Sequence, residues 1–383
     1  MEETRTEVFF REVRDTLTSN ILPFWLQLKD PRGGFYGEMQ ADGTVLYDAP
    51  RGAILNARLI WTFAAAYSFL KDTQYLVAAV HARDWFLDHF CDHKYGGVYW
   101  SVTPEGERLD AKKQLYAQGF AIYGLSELYK VSRDDEALKQ AVNLFRVVET
   151  HFADPEHGGY IEALARDFSP LEDMSLSAHD INADKTMNSH LHILEAYANL
   201  YQVWPDPSLK EAVERLLEII GTRVMAPSGH LQLYFRKDWS VLPGGVSFGH
   251  DIETSWLALE CAFALRDADV VTRVRPRALQ MGRAGNEGLL PDGSMRYEQL
   301  LDGSFDDSRQ WWVQAETVVG CLNQGWEERA LRCWDYIKKN LLAPDGEWYW
   351  SVDADGNPNT ADDRAGFWKC PYHNGRMCME IIS

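Results

Sequence analysis

The chain has 383 residues, 46% of them hydrophobic and 13% aromatic, and a formal net charge of −19 from 38 basic and 57 acidic side chains. An acidic balance of that size opposes binding to phosphate backbones and to anionic membranes, so nucleic acid and membrane partners are not expected and a small neutral molecule is. No apolar run reads as a membrane span and the start, Met1-Glu2-Glu3-Thr4-Arg5, lacks a signal-peptide pattern, which makes a cytoplasmic protein the expectation.

Apolar residues at helical spacing predict a first helix over 3–28. The chain then turns at Gly33-Gly34-Phe35-Tyr36 and enters a helix over 51–70, where Ala53-Ile54-Leu55, Leu59-Ile60-Trp61 and Phe63 form a face. The same order of events recurs. A helix over 74–91 leads through Gly96-Gly97-Val98-Tyr99-Trp100 to one over 111–131, and a helix over 135–152 leads through Gly158-Gly159-Tyr160 to one over 185–203. The helix over 207–223 precedes Gly229-His230-Leu231-Gln232-Leu233-Tyr234 and a helix over 250–265; that over 268–286 precedes Gly293-Ser294-Met295-Arg296-Tyr297 and one over 309–323. Finally 326–342 leads through Gly346-Glu347-Trp348-Tyr349-Trp350 to 371–383. Repetition through a whole chain signals stacked supersecondary units, here six of helix, glycine-opened hairpin and helix.

The second helix of each unit is apolar and aromatic, whereas the first carries charged faces such as Lys210, Glu211, Glu214 and Arg215 or Glu327, Glu328 and Arg329. That sorting predicts an all-α fold with six inner helices inside six outer ones, an (α/α)6 barrel with short β-hairpins at one end. An open solenoid of the same units would need polar capping repeats, and neither end offers one. No Pro/Ser/Gly-rich linker interrupts the repeat, so residues 1–383 are expected to form one domain, as a monomer or weak homodimer. The six cysteines sit mostly within helical patterns and read as reduced, buried thiols.

Polar residues interrupt the apolar inner helices at comparable places: Arg58; Tyr116; Asn188 and His192; His250 and Glu253; Trp311, Trp312 and Glu316; His373 and Arg376. Most pairs are three or four apart and share a helical face, so a closed ring directs all six sets at one axis. Blander readings stand beside this one. A lone helical histidine is more often structural than catalytic, Arg58 can pair with a buried carboxylate such as Glu316, and the paired tryptophans can be core. His81, His89, His93, His151, His157, His179 and His230 fall on outer helices or loops, and His190, two from His192, points elsewhere. Cys370, His373 and Cys378 match no zinc spacing, and neither metal nor cofactor is expected.

A cup holding two histidines, an arginine, a tyrosine and stacked indoles suits an uncharged polyol. Inversion at a carbon beside a carbonyl requires a base on one face and a proton donor on the other, and imidazole serves both roles. His250 lies near a helix N-terminus, which favours the neutral ring, while Glu253 one turn on favours imidazolium.

Trp368-Lys369-Cys370-Pro371-Tyr372-His373-Asn374-Gly375-Arg376-Met377-Cys378, Gly249-His250-Asp251-Ile252-Glu253, Asp184-Lys185-Thr186-Met187-Asn188 and Trp311-Trp312-Val313-Gln314-Ala315-Glu316 resemble the cellobiose 2-epimerases, within the N-acylglucosamine 2-epimerase family of (α/α)6 barrels. The likeness runs from Ile21-Leu22-Pro23-Phe24-Trp25 to the last residue. It implies cofactor-free conversion of the reducing-end glucose of a β-1,4 disaccharide to mannose through a cis-enediolate. On the resemblance, His250 and His373 are the acid/base pair, Glu253 supports the first of them, and His192 assists ring opening. Arg58, Tyr116 and Asn188 surround the sugar ring and enediolate, and Trp368 with Trp311 or Trp312 stacks on the sugar. Phe248 stands where the family suggests tyrosine, and Arg51 and Arg309 where it suggests lysine. The competing readings are a monosaccharide 2-epimerase or aldose–ketose isomerase, an inverting glycoside hydrolase using Glu253 and Glu316, and a non-catalytic sugar-binding protein.

Overall fold

The computed structural model describes residues 4–177 and 180–383, and His179 lies outside them. Helices α1 (Arg5–Asp15) and α2 (Leu22–Gln27) are joined by a π-helical turn, Thr16–Ile21, into the first long rod. Then follow α3 (Ala53–Leu70), α4 (Thr73–His89), α5 (Leu115–Ser132), α6 (Asp135–Val147), α7 (Met187–Tyr201) and α8 (Pro207–Ile219). The last five are α9 (Phe248–Ala264), α10 (Ala268–Gly285), α11 (Trp311–Asn323), α12 (Glu327–Asn340) and α13 (Tyr372–Ile382). The helices α3, α5, α7, α9, α11 and α13 pack on one another in that order, and α13 returns to α3. The ring is closed, as an (α/α)6 barrel.

Burial follows the predicted sorting. The inner α3 and α5 are buried almost throughout, whereas the outer α6, α8 and α12 bury one stripe and expose the rest. One expectation needs correcting here. By length and a mean hydropathy of 1.3, α3 is apolar enough to cross a membrane, yet 78% of that stretch is buried within the barrel. A helix surrounded by protein on all sides needs no polar face.

Helices α5, α7 and α11 begin two to four residues later than periodicity predicts, because the entering residues are extended and paired. Arg51–Gly52 pairs with Ser101–Val102, Lys113–Gln114 with Ala163–Leu164, and Lys185–Thr186 with Tyr234–Phe235. Val246–Ser247 pairs with Glu298–Gln299, Arg309–Gln310 with Ser351–Val352, and a bridge from Ala365 to Met39 completes the circuit. Each approach to an inner helix is thus bonded to the hairpin of the next unit, and the sixth to the first. This second ring fixes the N-termini of all six inner helices around one mouth.

Buried side chains lock that layer. A cation just before an inner helix reaches back to its own unit's hairpin: Arg51 to Asp30, Lys113 to Asp92 at 3.1 Å, Lys185 to Asp154 at 2.7 Å and Lys369 to Glu347 at 2.7 Å. Arg309 does so through Ser294 Oγ at 3.1 Å. Arginine in place of lysine at 51 and 309 therefore falls on structural anchors that take either cation. One turn into the helix, Gln118, His190, Asp251 and Gln314 each accept a hairpin backbone N–H, from Val98, Tyr160, Leu231 and Met295 respectively. His190 is one member of this series, and burial brings it down to about 4, so it serves as a neutral acceptor.

The hairpin glycines adopt the left-handed conformation that a side chain disfavours. At Gly159 (φ +75°) a Cβ would stand 2.5 Å from the Trp239 ring and 2.8 Å from His190, whereas at neighbouring Gly158 (φ +74°) it would meet nothing. Gly158→Ala should therefore destabilise by about 1 kcal/mol through the backbone alone. Gly159→Ala, which adds a packing clash, should cost about 2–4 kcal/mol, and urea unfolding of the two variants measures the difference.

Candidate active site

The six N-terminal turns of the inner helices open into a cavity of about 330 Å3. Its wall includes Arg58, Tyr116, Asn188, His192, His250, Glu253, Trp311, Trp312, Trp368 and His373, every expected site residue except Glu316. Residues from six segments of sequence far apart meet here because each occupies the first or second turn of its inner helix or, for Trp368, the approach to it.

His250 and His373 both lie against the Trp312 indole, with ring centroids 4.7 and 5.5 Å from it. Trp311, one residue away, is buried beneath, packed on Trp350 at 4.9 Å and capped by the Lys369 ammonium. Trp312 is thus the member of the pair that borders both histidines. Trp368 joins Tyr116, Phe367 and Trp100 in an aromatic group that walls the cavity elsewhere.

The histidines differ in what holds them. Nδ1 of His373 is 2.6 Å from Glu316 Oε1, and Nδ1 of His192 is 3.0 Å from Glu195 Oε2. Nδ1 of His250 instead meets the Ser247 hydroxyl at 2.8 Å. A hydroxyl donates or accepts, so His250 is free to take either tautomer, whereas carboxylate-backed rings are held as Nδ1–H.

Glu253 does not support His250 as expected. Its Oε1 accepts from Arg376 at 2.8 Å and stands 3.8 Å from Nδ1 of His373. His250 sits in the first turn of α9, near the mouth; Glu253, a turn deeper, reaches the barrel centre where Arg376 lies. Phe248 packs with Met295 and Val313 away from the cavity wall, so a tyrosine hydroxyl there would not reach His250.

Arg376 organises the centre. Its guanidinium donates to Glu195, Glu253 and Glu316, and to Tyr372. Burial raises Glu253 well above the ordinary carboxyl value, with Glu316 adding repulsion that Arg376 offsets only in part. Glu253 Oε2 also has no partner among the described residues, which fits a protonated, neutral acid. Glu316 accepts from Arg376, His373 and Trp256, a full donor set for a carboxylate. Burial opposes the charge on Glu195 too, but Arg376, His192 and Tyr372 outweigh it and bring that carboxyl down to about 2.

Arg58 is a second buried cation, and it pairs with no carboxylate among the described residues. It donates to Tyr116 Oη at 2.9 Å and to Cys370 Sγ at 3.6 Å, and it lies over the Phe120 and Tyr372 rings at 4.1 and 4.5 Å. The pairing with Glu316 that the sequence left open is not made. Such a cation is available to an anion forming in the cavity.

Glu253, Glu316 and His373 bring three ligand atoms within 4.8 Å of one another. The carboxylate oxygens that a metal would use already accept from the guanidinium of Arg376, so the group fits a cation of its own rather than an added ion. The six cysteines are free, and Cys370 and Cys378 are both buried.

Two residues of this centre escape periodicity. Glu195 carries a readable signal, a charge three after His192 in an otherwise apolar helix. Tyr372, packed against His373 and bonded to Glu195, lies inside the C-terminal motif but looks like core. Glu162, Asp180, Tyr234, Tyr297 and Glu298 also line the cavity, and they come from hairpins and loops that helical spacing does not address.

Burial together with the charge of His192 brings His250 down to about 3, and burial with Arg58 and Arg376 lowers His373 well below 6.5. Both rings are therefore neutral at pH 7 and stay so on moderate acidification. The pH profile of kcat/KM should show no inflection near 6.5, the value of an ordinary imidazole.

Residues 34–374 match the family model described as N-acylglucosamine 2-epimerase (GlcNAc 2-epimerase). The chain is 46% identical to a cellobiose 2-epimerase of Bacteroides fragilis, over 98% of this chain and 99% of that one. It is 36% identical to one of Ruminococcus albus, over 97% and 98%. The solved structure of a cellobiose 2-epimerase from Bacillus thermoamylovorans superposes with a TM-score of 0.93 at 39% identity, covering 98% of this chain and 99% of its own. The cavity and its paired imidazoles therefore sit in a protein that belongs to the N-acylglucosamine 2-epimerase family of carbohydrate epimerases.

Proposed function

We propose that this protein inverts C2 of the reducing-end glucose of β-1,4 disaccharides such as cellobiose and lactose, giving the mannose epimer. The observation that carries the reading is the placement of His250 and His373 against one indole in one cavity, whose wall also holds Arg58, a cation paired with no carboxylate among the described residues. The sugar ring opens, one histidine removes the C2 proton, and the cis-enediolate is stabilised by Arg58 and Tyr116. Rotation about C2–C3 presents the other face; the second histidine, neutral in the free protein, takes up a proton from water as the enediolate's negative charge favours its imidazolium form and delivers that proton to C2, while the first imidazolium releases the abstracted proton to water. Trp312 and Trp368 supply apolar faces for the sugar, and Asn188 a polar edge. Glu316 steadies His373 through Nδ1.

Hydrolysis is poorly supported. Glu253 and Glu316 converge on one guanidinium, with ligand atoms within 4.8 Å, closer than the ~6.5–9.5 Å that an inverting pair needs for water. Glu316 also stands off the cavity wall. Incubation with cellobiose in heavy water, followed by NMR, tests the proposal. Deuterium at C2 together with glucosyl-mannose is the expected result, and released glucose or an unchanged substrate would overturn it. Relative turnover of cellobiose, lactose, mannose and N-acetylglucosamine separates disaccharide from monosaccharide preference.

A further inference from the structure

The inward stripes of three inner helices stay polar beyond the active site, toward the end of the barrel opposite the mouth. Along α7 Glu195 is followed by Asn199 and Gln202, along α9 Glu253 by Glu260, and along α13 Arg376 by Glu380, at spacings of three, four or seven that keep one helical face. Glu195, Asn199, Gln202, Glu260, Arg376 and Glu380 line a second cavity of about 50 Å3, which has room for a few water molecules at roughly 15 Å3 each. Arg376 is buried and its Nε has no partner among the described residues, a donor that water in this cavity would satisfy. Glu260 is exposed and Glu380 half-buried, so the far side of the cavity meets solvent.

Glu195 joins this space to the first one. It borders the second cavity and accepts from Nδ1 of His192 at 3.0 Å, while His192 lines the sugar cavity. A series of exchangeable protons therefore runs from the sugar cavity through the His192 ring, the Glu195 carboxylate and water to Glu380 and Glu260 at the surface.

We infer that the second cavity is a proton passage, connecting the sugar cavity with solvent at the end opposite the mouth while a bound disaccharide fills that mouth. Its use in turnover rests on the proposed function, in which one imidazole sheds the proton taken from C2 and the other gains the proton it delivers. For release, the surplus proton passes through hydroxyls in the sugar cavity to Nε2 of His192, and Nδ1 gives its own proton to Glu195. Water carries that proton to Glu380, which yields it to solvent. For delivery the order is reversed, ending on the depleted ring. Release leaves His192 as its other tautomer and delivery restores it, so the two together return every group to its start with no electrons moved. Partial burial and the charge of Glu260 push Glu380 up to about 8, so near neutrality it both holds and sheds a proton.

Two variants test the passage without touching the sugar cavity: Glu260→Gln combined with Glu380→Gln, and Ala264→Leu, which fills the second cavity from the end of α9. Exchange of the His192 Nδ1 proton with water, followed by NMR and assigned with His192→Gln, should slow by about tenfold or more in each. Epimerisation of saturating cellobiose should fall by a similar factor. Imidazole buffer should restore it in the carboxylate variant, where the path stays open, and not in Ala264→Leu, where it is filled. Glu380→Gln alone stands in if the double variant does not fold. Nδ1 exchange or epimerisation at the wild-type rate in both variants would overturn the inference. So would imidazole that fails to rescue the carboxylate variant, or that rescues Ala264→Leu equally. Wild-type protein unable to epimerise cellobiose would count against the proposed function, and the Nδ1 exchange rates would still decide for or against the passage.

Discussion

Replacing either His250 or His373 with glutamine should cut epimer formation by about 10²–10⁴-fold, the usual contribution of a positioned acid or base, and leave the fold intact. Both side chains border the cavity and neither anchors a hairpin, so little packing is lost. The two variants should nevertheless differ from each other. The histidine that removes the proton from the glucose epimer is needed for any exchange at C2. The one that returns the proton is needed only for inversion. With cellobiose in heavy water, one variant should therefore exchange deuterium into C2 of unchanged cellobiose without forming the mannose epimer, and the other should do neither. Starting from glucosyl-mannose, the two behaviours should swap. Wild-type-like rates in both variants would remove these residues from the mechanism, and exchange by both from the same epimer would show that the faces are not divided between them.

Arg376→Met is expected to be the most destabilising single change in the site. The guanidinium is buried at the centre of three carboxyl groups, and deleting one partner of a buried ion pair typically costs about 3–5 kcal/mol because the remaining charge has no water to return to. The loss should depend on pH with a definite sign. In the intact protein Glu195 is held at about 2, below the ordinary 4.5, so its contribution is present above about pH 4.5 and disappears as pH falls toward 2. Without Arg376 that carboxyl moves up and its contribution shrinks. The gap in urea midpoint between wild type and variant should therefore be widest near neutrality and narrow in acid. A gap that stays constant with pH would mean that Arg376 stabilises by packing on Trp256 and Tyr372 rather than by charge.

Much of the site was legible because its residues obey a local rule. Tyr116, Asn188, His192, His250, Glu253, Trp312 and His373 occupy the opening turns of inner helices, and polar residues there stand out against apolar neighbours. Glu162 and Glu298 do not stand out, since they lie beside or in two-residue strands, which are too short to show a period. The cations Arg51, Lys113, Lys185 and Lys369 form a repeat as regular as the glycines, yet they read as ordinary surface charges until their burial is known. The π-helical turns Thr16–Ile21, Val148–Phe152 and Ile220–Val224 gave no sign in the pattern either, because one inserted residue hardly shifts an apolar stripe.

By itself the chain determined six units, the division into inner and outer helices, and which residues share a helical face, since all of these follow from spacings within about one turn. Tertiary structure alone decided which faces meet. Trp311 and Trp312 are equivalent in composition and differ by about 100° around α11, so only the rotation of that helix in the ring puts the second against both imidazoles. Glu253 lies three residues from His250 but serves Arg376 and His373, because a carboxylate joins the cation it can reach across the barrel, and that distance is set by how six helices close on one another.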